Sequence, residues 1–225
     1  MTNKQAPLLI TAGPAVVEID AVRRITNHST GALGGRLARH AIESGEEVIL
    51  LRSTFSTAPA PEPHASLHMV PFATVDDLAQ CLAAFASHSI SAVWHAAAVG
   101  DYVVKEICLE NGQAVSAGKL DSREGDLLMT LTPAPKLIAR LVEWFPLAHR
   151  VGWKYEVEGT PESVMTKALR QMEENQTHAC VANGPAWGSA FGMVLPGGQC
   201  VACADGGELS AALLATRAEF VRAGQ

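Results

Sequence analysis

The segment VRRITNHSTG (22–31) places Asn27, His28, Ser29 and Thr30 directly ahead of Gly31 and a stretch with helical spacing. Side-chain donors and the free N–H groups of a helix start would converge there, with Arg23 and Arg24 as nearby cations. Two readings stand: a seat for a phosphate or developing oxyanion, or an ordinary cap at Ser29 or Thr30 with Gly31 as a turn. A second segment, HAAAVGDYVV (95–104), offers three small residues, Ala96, Ala97 and Ala98, where a large group can approach the backbone. Asp101 follows, either as a carboxylate for a metal ion or ligand hydroxyl or as a turn former beside glycine. In VGWKYE (151–156) Gly152 permits close approach and Trp153 offers a stacking face, unless that tryptophan is core. In VANGP (181–185) Asn183 enters a glycine-proline turn, facing a ligand or capping the turn itself.

Other motifs carry less. Cys200 and Cys203 form a CxxC without a second pair, which argues against structural zinc, and its hairpin setting argues against a redox helix. His28, His95 and His149 lack helical ligand spacing. The chain has no GxSxG, HExxH or GxxxxGK[ST] run. Gly31, Gly34 and Gly35 do not have the spacing of the dinucleotide fingerprint, which disfavours a nicotinamide site.

These four loops need strands to deliver them. Ala6–Ala12 is a buried strand ending in Gly13-Pro14. Residues 31–43 predict a helix with Leu33, Leu37 and Ile42 inward, stopped by Gly45, and Val48–Leu51 a second strand. Residues 55–66 are proline-rich and extended, followed by a short strand over 67–70, a helix over 76–87 and a strand over 92–98. Residues 104–126 lack periodicity and suggest a flexible flap with hairpin character. The alternation continues with strand 127–131, helix 135–144, strand 150–153, helix 161–174 and strand 179–182. A glycine-turned hairpin (192–203) and a helix (208–222) end the chain. The pattern predicts an α/β, three-layer Rossmann-like fold with a mainly parallel central sheet, plus the flap and a C-terminal hairpin. Ligands of such sheets sit at the carboxyl ends of the strands.

Composition narrows the partners. Of 225 residues 48% are hydrophobic and 18% charged, which excludes disorder along most of the chain and suits one domain over 1–225. No apolar run approaches the ~20 residues that span a bilayer, and the N-terminus is a poor signal peptide, so the expectation is a cytoplasmic protein. Seventeen Lys and Arg against 23 Asp and Glu give a net charge of −6. That balance repels nucleic acid and anionic lipid, so a phosphate site must be built locally. Five scattered cysteines read as reduced thiols of the core.

Taken together, ITAGPAVVEIDAVRRITNHSTGALGGRLA, AAAVGDY, Lys119, VEWFP, VGWK and VAN resemble the phosphopantothenoylcysteine synthetases, in order from about residue 8 to about residue 183. The likeness is to the free-standing bacterial form. The resemblance implies a homodimeric ligase that joins 4′-phosphopantothenate to cysteine in coenzyme A biosynthesis. CTP or ATP, with Mg²⁺, would first convert the acid to an acyl-nucleotide. By motif it implies catalytic roles for Asn27, Arg23 and Lys119 (the flap lysine). It implies nucleotide contacts at Gly13, Ser29, Gly31, Ala97, Asp101, Gly152, Trp153 and Asn183, with Asp101 near the metal. Departures from the family pattern gather at ligand positions: Pro14 and Ala15 for Gly-Thr, Gly100 for Ala or Ser, Trp153 for Phe, Gly184 for Asp, and no further flap lysines after Lys119. They leave open a paralogue that joins another acid to cysteine or another amine, or a nucleotide-binding homologue without turnover. A Rossmann-type oxidoreductase is the more distant alternative.

Overall fold

The computed structural model describes residues 6–115, 120, 121, 123 and 125–223. Six strands form the parallel body of the main sheet: β1 (Leu8–Ala12), β4 (Val48–Ser53), β5 (Leu67–Phe72), β6 (Ala92–His95), β9 (His149–Tyr155) and β10 (Ala179–Asn183). Two more, β11 (Phe191–Val194) and β12 (Cys200–Cys203), are added antiparallel at one edge. The order across the sheet is β12-β11-β10-β9-β6-β1-β4-β5. The chain therefore winds outward from β1 to β5, returns to β6 on the other side of β1, and winds outward again. Its order reverses between β1 and β6, where a crevice must open at the carboxyl ends.

The helices cover both faces because alternate strand residues are buried on opposite sides. Leu8, Ile10 and Trp94 pack against α1 (Ala32–Glu43) and α5 (Gly206–Ala223). Leu9, Leu51 and Val93 pack against α2 (Val75–Ala84) and α3 (Leu137–Trp144), and Cys180 and Ala182 against α4 (Pro161–Asn175). Two helix starts are fixed by reciprocal caps, Thr74 with Asp77 for α2 and Thr160 with Ser163 for α4. The cap at Thr74 starts α2 one residue before the predicted Asp76.

The predicted continuation of the sheet through 127–131 is corrected. β8 (Leu127–Pro133) pairs antiparallel with β7 (Tyr102–Leu109) in a separate two-stranded arm. The exposed side chains of both strands mark them as a ribbon outside the core, which a short apolar run cannot reveal by itself. The hairpin character expected for the flap is thus present, but its strands begin earlier and end later than residues 104–126. The loop 13–31 also holds a small ribbon, β2 (Val17–Glu18) with β3 (Arg24–Ile25). All five cysteines are free, but only Cys180 and Cys203 are buried; burial pushes the Cys180 thiol up to about 12.

Charged and polar groups are buried at the end of the sheet away from the carboxyl termini. Arg217 of α5 makes a two-pronged ion pair with Glu46, and Arg150 donates to the carbonyls of Phe145, Pro146, Ala148 and Gln176. His149 stacks on His178 with ring centroids 5.4 Å apart. Burial holds both imidazoles low, His149 at about 3 and His178 at about 4, and the neighbouring arginines push the same way. His95 is held at about 4 by burial alone. An unfolded chain protonates these rings below about 6.5, whereas the folded chain protonates His95 and His178 only near pH 4 and His149 only near pH 3. Their contribution to stability is complete above about 6.5 and is lost as the pH falls towards 4. The melting temperature should drop by several degrees between about pH 7 and pH 4.5, and His149→Phe should flatten part of that slope in a calorimetric series.

Candidate active site

Helix α1 has an unusual start. Gly31 occupies its N-cap position in the left-handed region, φ 75°, and no side chain caps the helix. Of the two predicted caps, Thr30 only brings its hydroxyl to 3.3 Å from the Ala32 N–H. Gly13, φ 91°, ends β1 beside it, and a Cβ on either glycine would run into the Ser56 hydroxyl. The close approach needs glycine at both places, and it leaves backbone N–H groups at the positive end of a helix.

The crevice at the strand-order reversal is a cleft of about 850 Å³. Gly13, Asn27, Ser29, Gly31, Ala97, Asp101, Trp153 and Asn183 all line it, so eight of the eleven residues singled out in the sequence meet in one place. Asn27 donates to the carbonyl of Val99 at 3.1 Å, tying the loop before α1 to the loop after β6. Ala98 exchanges backbone bonds with Gly13 and Ala15, so the two loops extend the sheet as a floor. Pro14 sits at this bridge without loss, because the ladder uses the Gly13 carbonyl before it and the Ala15 N–H after it. Trp153 and Asn183 lie two positions apart in register on one face of β9 and β10. Trp153 Nε1 and Asn183 Oδ1 are buried, and neither has a partner among the described residues. Unpaired polar atoms at the edge of a cleft are what a ligand would satisfy.

Two of the remaining residues stand outside the lining. Gly152 is buried on the opposite face, where a Cβ would collide with Gln171 and Ile138, both of which line the cleft. Arg23 grips a neighbouring segment. Its guanidinium pairs with Asp20 at 2.9 Å and donates to the Leu120 carbonyl at 3.1 Å, while Asp20 accepts the Leu120 N–H. That N–H, those of Val22 and Arg23, and the Arg23 charge hold Asp20 below the usual carboxylate range. Lys119, the third, lies outside the described residues.

The sequence reading missed a cationic rim. Lys136, at the start of α3, forms an ion pair with Asp101. Lys154 of β9 and Lys167 of α4 both reach Glu156, at 3.2 and 2.5 Å, and together lower its pKa. Lys167, Arg170, Gln171 and Glu174 all face the cleft from α4. Their three- and four-residue spacing was visible, but a solvated helix face has the same pattern.

A family model described as the DNA/pantothenate metabolism flavoprotein C-terminal domain matches residues 3–200. The chain is 30% identical over 180 residues to the coenzyme A biosynthesis bifunctional protein CoaBC of Thermococcus kodakarensis, covering 78% of this chain and 40% of that protein. It is 26% identical over 188 residues to CoaBC of Bacillus subtilis, covering 83% and 43%. The chain thus spans about two fifths of the length of these curated relatives. Among solved structures it resembles the DNA/pantothenate metabolism flavoprotein from Streptococcus pneumoniae, with a TM-score of 0.82, 26% identity and coverage of 96% of this chain and 99% of that one. A Cab2 variant in complex with phosphopantothenate-cysteine shares the fold, with a TM-score of 0.79 at 21% identity, covering 98% and 89%.

The departures at Gly100 and Gly184 differ in kind. A Cβ at Gly184, φ 103°, would strike the backbone of Glu156, whereas one at Gly100 would make ordinary contacts at 3.6 Å and beyond. Gly184→Ala should cost ~2 kcal/mol or more and Gly100→Ala less than ~0.5 kcal/mol in urea unfolding.

Proposed function

Because the chain belongs to the DNA/pantothenate metabolism flavoprotein C-terminal domain family, the phosphopantothenoylcysteine synthetases, we propose that it is a nucleotide-dependent ligase joining 4′-phosphopantothenate to cysteine for coenzyme A biosynthesis. The observation that carries this reading is the meeting of eight motif residues in one cleft at the strand-order reversal. All 225 residues are taken as one domain of this type.

The chemistry follows from the weakness of a carboxylate as an electrophile. A carboxylate oxygen attacks the α-phosphorus of CTP or ATP; pyrophosphate leaves and an acyl-nucleotide remains. The cysteine amine then adds to the acyl carbon, the nucleoside monophosphate leaves, and an amide is formed. Both steps develop charge on oxygen, which fixed donors stabilise. The uncapped start of α1, with Ser29 and Gly31 beside it, is suited to phosphate. Asn27, its Nδ2 held by Val99, keeps its side-chain carbonyl for a ligand donor, in a position to handle the acyl-nucleotide. Trp153 and Asn183 offer a ring face and an unpaired acceptor for a base, with Gly152 setting the backdrop behind them. Arg23 anchors the segment that follows Lys119, and Lys119 supplies a charge for the triphosphate.

The described residues include no group of three or more His, Cys, Asp or Glu able to hold a metal ion. Asp101 is exposed at the cleft, which fits a magnesium ion that arrives on a nucleotide and takes one protein carboxylate. Such an ion would neutralise phosphate charge. Lys136 holds Asp101 in place until then. Small molecules are the partners of this site, together with a second copy of the chain. Tyr102, Leu128, Met129 and Leu131 expose apolar surface on the arm, which supports a homodimer. No helix among the described residues is long and apolar enough to cross a membrane.

Purified protein with Mg²⁺, CTP or ATP, 4′-phosphopantothenate and cysteine should release monophosphate and pyrophosphate only when both acid and amine are present, as read by mass spectrometry. Asn27→Ala and Lys119→Ala should each lower kcat by ~100-fold or more, Lys119→Ala with the melting temperature unchanged and Asn27→Ala with it lowered by about the worth of one exposed hydrogen bond. The Pro14, Ala15 and Gly184 departures favour one second reading, another acid in place of phosphopantothenate. Monophosphate release with a different carboxylate alone would select it.

A further inference from the structure

His95 lines the cleft although only 7% of it is exposed. It ends β6 directly across from Thr11 of β1, and the Thr11 hydroxyl lies 3.0 Å from its Nδ1. That hydroxyl oxygen also accepts the Ala97 N–H at 3.0 Å. With its oxygen engaged by one donor and no other acceptor in reach among the described residues, the Thr11 O–H donates to Nδ1. The remaining proton of the neutral ring is therefore on Nε2. No described residue pairs with Nε2, and Ala96, Ala97 and Ala98 beside it present no side-chain acceptor.

His95 shares its sheet face with Leu9 and Val93, which pack against α2 and α3. It is on the opposite face from Trp153, which packs with the α1 and α5 side. The first residues of α3, Leu137 and Ile138, line the same cleft, and that helix has no side-chain cap. The partnerless side of the His95 ring and the positive end of α3 thus belong to the same cleft and to the sheet face opposite α1.

We propose that His95 Nε2 and the α3 N-terminus form a second oxyanion-binding subsite, which takes an anionic oxygen of a cleft ligand and is separate from the seat at α1. The occupant is a phosphoryl or carboxylate group, carried either by the nucleotide or by the acid substrate. The subsite rests on the ligase reading only for the choice of ligands to test. A neutral donor fixed by Thr11 binds the anion without adding charge, so its strength does not change near neutral pH.

The test uses wild-type protein, His95→Leu and His95→Gln, titrated calorimetrically with Mg–CTP, Mg–ATP and 4′-phosphopantothenate separately. His95→Leu should weaken at least one of these by roughly 10- to 100-fold. His95→Gln, which keeps an N–H at the end of a side chain of similar reach, should recover most of that loss. In wild-type protein labelled with ¹⁵N at histidine, the His95 Nε2 resonance should move on adding that same ligand, and which ligand moves it names the source of the anion. This measurement stands even if a variant fails to fold. Unchanged affinity of His95→Leu for all three ligands, or an Nε2 resonance that none of them moves, would overturn the subsite. Wild-type protein that binds ligand and moves the resonance but makes no amide removes the ligase reading and leaves the subsite standing; wild-type protein that binds none removes both.

Discussion

The pairing of β1 with β4 on one side and β6 on the other governs where anything can bind. Both pairs are parallel, and the chain leaves β1 towards one face and enters β6 from the other. At the carboxyl end β1 runs into the loop 13–31 with its small ribbon, and β6 into the loop that leads to β7. Those loops are stitched by Ala98 to Gly13 and Ala15, by Thr11 to Ala97, and by Asn27 to Val99. The cleft floor is thus an extension of the sheet ladder.

Small residues are what that floor needs. Gly13 and Gly31 let β1, α1 and the Ser56 loop meet without side chains between them. Ala96 to Ala98 keep the opposite wall flat. The cost is that polarity must be supplied by backbone and by the few side chains anchored from below, Asn27, His95 and Asn183 among them. The opposite end of the sheet is built the other way, from large charged groups satisfied internally, Arg217 on Glu46 and Arg150 on four carbonyls. One end is closed by ion pairs and arginine–carbonyl bonds, and the other is left open as a cleft.

How much of this could be read from residues alone follows from the same division. Strands β1, β4, β6, β9 and β10 were legible because continuous apolar runs between glycines have few other uses. Gly31 and Asn27 were legible because helix starts have a local chemistry. The arm was not, since Leu127–Leu131 has the composition of a core strand and only the absence of a covering layer makes it a ribbon. The lysines at 136, 154 and 167 were equally hidden, because a charge belongs to a site only through the neighbours folding gives it. Gly152 was recognised as a place of close approach, but what approaches is Gln171 and Ile138.

His95 shows the limit most sharply. Read along the chain it is a histidine without ligand spacing at the end of an apolar strand, and a core position is the natural assignment. Its burial agrees with that assignment; its hydrogen bonding does not. His149 also leaves a ring nitrogen without a partner, but at the closed end of the sheet, whereas His95 lines the cleft. Here one nitrogen is fixed by a threonine whose own oxygen is fixed by a backbone N–H, and the other is left to the cleft. A chain of two buried hydrogen bonds that orients a third donor towards open space is a costly arrangement for a structural residue. It is an economical one for a residue that must present one proton in one direction, and His95 lines the cleft where the ligand motifs meet.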